Sequence, residues 1–125
     1  MDIPKECRYC GHEVVFTSNK EIYGREYGNG KCYLCRHCGA YVGVHTGSKT
    51  PLGTLASSEL REWRHKAHES FDRLWKGPIR QSSRYGCYKW LSEQMNIPMS
   101  QTHIGMFEID QCKQVIELVK ERINE

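Results

Sequence analysis

The sequence predicts an α+β fold, with short antiparallel strands over residues 1–50 and three helices over residues 51–125. Three observations predict it. A Cys-x-x-Cys-Gly motif occurs twice, at Cys7–Gly11 and Cys35–Gly39. Short apolar runs separated by glycines lie between and just after the two motifs, and from about residue 57 onward apolar residues recur at three- and four-residue steps. A chain of 125 residues has room for one compact domain or two small ones, each with a limited core.

The first element is a pair of metal knuckles. Two residues between cysteines let both thiolates of a turn face one ion, and a glycine just after allows the chain to fold back around it. Cys7, Cys10, Cys35 and Cys38 therefore predict one zinc ion per chain, bound by four sulfurs. A closed tetrahedron of thiolates leaves no position for an activated water, so this zinc is expected to be structural. Cys32 forms its own Cys-x-x-Cys with Cys35 and competes for a place in the ligand set. Cys35 with Cys38 is favoured because Gly39 follows as Gly11 follows Cys10, and because Cys32 would sit on the incoming strand. His12 and His37, each beside a cysteine, are weaker alternatives as ligands.

Strands are expected at Val14–Phe16, Cys32–Leu34 and Ala40–Val44, with a long polar loop turning at Gly24, Gly28 and Gly30. The arrangement is that of a zinc ribbon. Seven cysteines in a chain whose first residues, Met1 to Lys5, do not resemble a basic, apolar secretory signal point to a reducing compartment and an expected cytoplasmic location. No apolar run approaches the roughly 20 residues of a membrane span. The stretch from Thr46 to Gly53 is rich in turn residues and marks the passage to the helices; it lacks the glycine and lysine spacing of a phosphate-binding loop.

The first long helix is expected from about Ser57 to Trp75. Leu60, Trp63, Ala67, Phe71, Leu74 and Trp75 form its apolar stripe, and Glu59, Glu62, Lys66, Glu69 and Arg73 the solvated face. Arg61, Arg64, His65, His68 and Asp72 lie on the flank between; either this edge touches a ligand, or Arg61 and Arg64 snorkel over the core while His65 and His68 hydrogen-bond to the ribbon. Gly77-Pro78 ends this helix. Ser82-Ser83 offers a cap for the second, which runs through Tyr85, Tyr88 and Leu91 to Met95 and stops at Asn96-Ile97-Pro98. Arg80, Arg84 and Lys89 lie among tyrosines and Trp90, the mixture of cations and rings that nucleic-acid surfaces use. A third helix is expected over Ile109–Ile123, with Cys87 and Cys112 as small buried hydrophobes and residues 101–107 irregular. A buried, hydrogen-bonded His103 is the simpler expectation within that irregular segment.

Net charge is +3, unevenly spread: residues 1–50, 51–90 and 91–125 carry +2, +4 and −3. Three function classes follow. The first is a nucleic-acid or nucleoprotein accessory that contacts phosphates and bases through Arg8, Tyr9, Arg36, Arg61, Arg64, His65 and His68. The second is a protein-interaction module, and the third a hydrolase or nuclease in which His45, His68 or His103 works with Asp72. Few carboxylates lie near those histidines, so a non-enzymatic role is preferred.

The two Cys-x-x-Cys-Gly motifs, followed by Ala40-Tyr41-Val42-Gly43-Val44-His45, Pro51-Leu52-Gly53-Thr54-Leu55-Ala56, Glu59-Leu60-Arg61 and His103-Ile104-Gly105-Met106-Phe107, resemble a bacterial and phage family of zinc-finger-containing proteins. The resemblance covers nearly the whole chain. It implies a ribbon joined to helices as one unit and a phage or prophage setting, without naming a reaction; the expected partner, nucleic acid or a phage or host protein complex, follows from the function classes above and not from the resemblance.

Overall fold

The computed structural model describes residues 2–28 and 30–124. Contacts divide the chain between Glu59 and Leu60. In the first unit, β1 (Val15–Ser18), β2 (Lys31–Leu34) and β3 (Tyr41–Gly43) form one antiparallel sheet in the order β1-β2-β3. Phe16 faces Tyr33 and Tyr33 faces Val42, so β2 is the central strand and its side chains are the most buried. The core of this unit is small: Cys7, Val14, Tyr33, Cys35, Ala40, Val42, Val44 and Leu55.

Two local features depart from the sequence reading. The loop between β1 and β2 contains a helical turn, α1 (Lys20–Tyr23), too short to show a helical period. The rest of that loop is held by Asn19, whose amide donates to the Tyr27 carbonyl at 2.6 Å and accepts the Tyr27 N–H at 3.0 Å. Residues 51–59 also group with the ribbon rather than with the helices. Pro51 and Ala56 make isolated bridges to Val44 and Tyr41, and Leu55 and Ala56 are buried against the sheet, which accounts for apolar residues inside a turn-rich stretch.

The second unit is built on α2 (Ser58–Asp72), α3 (Arg84–Met95) and α4 (Ile109–Ile123), with 3-10 turns at Met99–Gln101 and Ile104–Met106. Ala67, Phe71, Leu74, Cys87, Leu91, Ile104, Phe107, Cys112, Val115 and Val119 interlock as its core. Helix α2 stops three residues before the expected end, because Leu74 and Trp75 tighten onto Phe71 and Asp72 and Gly77 then takes φ 85°. Helix α3 begins as expected at Ser83, whose hydroxyl accepts the Gly86 N–H at 3.0 Å. Helix α4 begins with a capping box between Glu108 and Gln111 and ends at Asn124 with φ 60°.

Arg64 differs most from its expected role. Its flank position on α2 is correct, but the side chain is only 8% exposed and Nε donates to the Phe107 carbonyl at 3.0 Å. A guanidinium held this way braces the 104–107 turn and is withdrawn from any external ligand. Arg64→Ala should therefore lower stability by about 2 kcal/mol, the scale of a hydrogen bond from a charged donor. The exposed Lys89→Ala, as a control, should cost less than about 0.5 kcal/mol. Urea denaturation followed by circular dichroism separates the two; equal, small losses would show that the Arg64 contact stabilises nothing.

Candidate metal centre

The two knuckles fold alike. The Gly11 N–H donates to the Cys7 carbonyl and the Gly39 N–H to the Cys35 carbonyl, both at 2.8 Å. The Cys7 N–H reaches the His12 carbonyl at 2.8 Å, and the Cys35 N–H reaches that of Ala40 at 2.9 Å. Gly11 and Gly39 take φ of 78° and 83°, left-handed values at which a side chain would be strained. This shared geometry is why each glycine follows its cysteine pair.

The sulfurs of Cys7, Cys10, Cys35 and Cys38 all lie within 4.8 Å of one another. Two contacts cross between the knuckles, with Cys7 Sγ 3.5 Å from Cys38 Sγ and Cys10 Sγ 3.5 Å from Cys35 Sγ. A tetrahedron with metal–sulfur arms of about 2.3 Å has edges of about 3.8 Å, whereas bonded sulfurs lie about 2 Å apart. The spacing fits zinc and excludes a disulfide. Four soft thiolates suit one structural zinc per chain, an ion that contributes folding energy when bound.

Cys32 stands outside this group. It is 1% exposed on β2, paired with Thr17 and Gly43, and its thiol is pushed up by burial and by the charge of Glu21. Within the cluster the thiols differ. Burial opposes ionisation of Cys7, yet N–H groups of Tyr9 and Cys10 and the thiols of Cys38 and Cys10 outweigh it, lowering Cys7 to about 7. Cys10 receives the His12 N–H, but burial and its contacts with Cys35, Cys7 and Cys38 push it up to about 12. Cys38 accepts the Ala40 N–H and is still raised, chiefly by Cys7.

The other sequence candidates belong to both units. Arg8 lies over the Tyr9 ring at 5.2 Å, and Tyr9, 45% exposed, accepts the Ser57 N–H through its hydroxyl at 3.2 Å. Arg36 forms a two-pronged pair with Glu21 at 2.9 and 3.0 Å, so its charge is already partnered; hydrogen bonds from Arg36 and Thr17 hold the Glu21 carboxyl at about 2. Arg61 is half-buried on α2. His65 is exposed, 3.4 Å from Glu69. His68 is half-buried with Nδ1 3.1 Å from the Arg64 carbonyl, and burial lowers its pKa.

Within the helical unit, His68, His103 and Asp72 do not form an assembled acid–base set. Asp72 turns one oxygen to Trp75 Nε1 at 2.9 Å and the other to Lys76 at 3.6 Å. His68 and Asp72 line an open cleft of about 860 Å³ with His65, Glu69 and Arg73. His103 lines a different one, and it is exposed rather than buried, its ring centroid 6.4 Å from that of Tyr88. His45 lies in the ribbon, on the turn after β3, its N–H donating to the Thr50 carbonyl at 3.0 Å.

That second cleft, about 400 Å³ and lined by Arg84, Tyr85, Tyr88, Met99, Thr102 and His103, is the feature the sequence only half disclosed. The mixture of Arg84 with tyrosines was visible on α3. The approach of Met99 and His103 from beyond the helix was not, because no local spacing encodes it.

Cys32→Ser should keep one zinc per chain, while Cys35→Ser should lose it and unfold the ribbon, as read by mass-spectrometric metal analysis and circular dichroism; loss of zinc from Cys32→Ser would overturn the ligand set. Protons compete for the same sulfurs. With Cys10 raised to about 12 and Cys38 raised as well, zinc must displace protons at neutral pH, so apparent affinity should climb with pH. Below about 7 Cys7 also takes up a proton, and the fall in affinity should steepen. Competition with a chelator of known affinity across pH 6 to 9 would measure the slope, and a flat profile would contradict it.

No curated protein and no solved structure matches the chain. A family model described as a zinc-finger-containing domain matches residues 3–122. With the double knuckle and its four converging sulfurs accounted for, the chain belongs to this zinc-finger-containing domain family.

Proposed function

We propose that this protein is a cytoplasmic accessory that binds single-stranded nucleic acid, with zinc folding the ribbon and helix α3 contacting bases. The observation that carries this reading is the cleft beside α3. It combines a guanidinium, two phenol rings, a thioether and an imidazole, and no carboxylate lines it. A ligand that is both flat and anionic suits such a wall, and a nucleotide unit has those two properties.

The details support that choice. Arg84 lies 5.4 Å from the Trp75 ring centroid and 5.6 Å from that of Tyr88, so the rings fix its cationic head at the rim. Tyr85 is 69% exposed and offers an uncovered ring face. In a duplex, base faces are stacked away, so a stacking cleft selects single strands. On the ribbon, Arg8 over Tyr9 provides a second cation–ring pair, and Tyr23 and Tyr27 are 50% and 63% exposed. A phage or prophage nucleoprotein is the setting that the family resemblance suggests, and docking on a host protein is the alternative that a failure to bind would favour.

Fluorescence anisotropy with a labelled single strand of about 15 nucleotides at about 50 mM salt should give micromolar or tighter binding, with duplex weaker. Tyr85→Ala should weaken it at least about fivefold, the scale of one lost stacking contact. Arg84→Ala should reduce the salt slope by about one. If neither DNA nor RNA binds at micromolar protein with zinc in place, the reading is wrong.

A further inference from the structure

We propose that Cys10, His12 and His37 form a second, weaker transition-metal site that shares the Cys10 sulfur with the structural zinc. One ligand atom from each of the three lies within 4.8 Å of the others. The two imidazoles are stacked, with ring centroids 3.7 Å apart and planes 14° from parallel. They come from different knuckles. His12 follows Gly11 and His37 precedes Cys38, so they meet because both knuckles close on the same centre.

Charge favours a second cation here. A divalent ion held by four thiolates carries a formal charge of about −2, and a shared sulfur lets a neighbouring cation neutralise part of it. The backbone is already set, since Cys7 N–H to His12 carbonyl and Gly39 N–H to Cys35 carbonyl hold the segments that carry the two histidines. Both side chains are exposed and so have room to turn, and a ligand atom of each already lies within 4.8 Å of Cys10 Sγ. Two imidazoles and a thiolate suit zinc, cobalt, nickel or copper, and not magnesium or calcium, which take oxygen ligands.

Three protein ligands leave a fourth position to water or an outside group, so this ion exchanges readily, unlike the closed site beside it. A bridging sulfur also donates less to each ion, which places the second affinity below the first. The inference is independent of whether the protein binds nucleic acid.

The test uses tag-free protein loaded with one zinc per chain. Cobalt(II) is added to that holoprotein near pH 7.5, and bound metal is counted by mass spectrometry after equilibrium dialysis. Two ions per chain are expected, the cobalt giving a near-ultraviolet sulfur-to-metal band. His12→Ala and His37→Ala should each keep the first zinc, which reports an intact ribbon, and lose the second ion. Saturation at one ion in the unaltered protein would overturn the proposal, as would a second ion retained by both variants. A changed visible spectrum of cobalt placed in the first site of His12→Ala or His37→Ala would also overturn it, because the imidazole would then be a ligand of the first ion.

Discussion

Four sulfurs have to converge on one point, and the path of the ribbon follows from that requirement. Its main buried cluster holds eight residues, and two of them, Cys7 and Cys35, are themselves ligands. Even with Cys32, Leu34 and Ala56 buried beside that cluster, so few and mostly small apolar side chains around a three-stranded sheet bury too little surface to offset the entropy of ordering the chain to Glu59. The metal is therefore part of the core. Each knuckle turns at a left-handed glycine and satisfies its own backbone groups, so the sulfurs are presented by rigid turns and the sheet needs only to hold the two turns at the right separation.

The helical unit solves the same problem by other means. Its ten buried core residues include Phe71, Phe107, Leu74 and Leu91, large enough to fill the space between three helices without a staple. Cys87 and Cys112 sit in that core fully buried, and burial pushes both thiols up, Cys112 to about 11. One residue type thus behaves in three ways along the chain. Cysteines on the knuckles bind metal, Cys32 fills a strand position, and Cys87 and Cys112 act as small hydrophobes. What separates them is the knuckle turn: a pair spaced by two residues and closed by a left-handed glycine brings four thiols within reach of one another, whereas Cys32, Cys87 and Cys112 lie on a strand and two helices.

Legibility in the sequence follows the range of the interaction. The knuckles, strands and long helices were readable because their signals are local: cysteine pairs with glycine, short apolar runs, and a three-to-four-residue stripe that matches the buried positions Leu60, Ala67 and Phe71. Helix α4 begins and ends where its stripe does, at Ile109 and Ile123. Contacts between distant residues stayed hidden. Arg64 on its flank looks like any cation until the Phe107 carbonyl is seen 3.0 Å away, and Arg36 looks available until Glu21 takes both its prongs. The stack of His12 on His37 spans the two knuckles and has no local signature at all. Position on a helix face was correct for Arg64; whether the side chain turned in or out depended on a carbonyl forty-three residues away.

The way charges pair along the surface bears on how such a protein would hold a strand. A net charge of +3 is small, and many of its cations are already engaged: Arg36 with Glu21, Lys66 with Glu62, Lys76 with Asp72 and Lys120 with Glu117. Others lie over rings, with Lys66 and Lys113 at Trp63, Lys76 and Arg84 at Trp75, and Arg122 at Trp90. A phosphate that recruits an ion-paired cation must first displace a carboxylate, whereas a guanidinium lying over a ring, as Arg84 does, can still turn its edge to a phosphate, so counterion release contributes less than the cation count implies. Under the proposed reading, stacking on exposed tyrosines supplies most of the affinity. Every base has a π face, which makes such binding tolerant of sequence, and its strength is set by the number of unstacked bases the strand can offer.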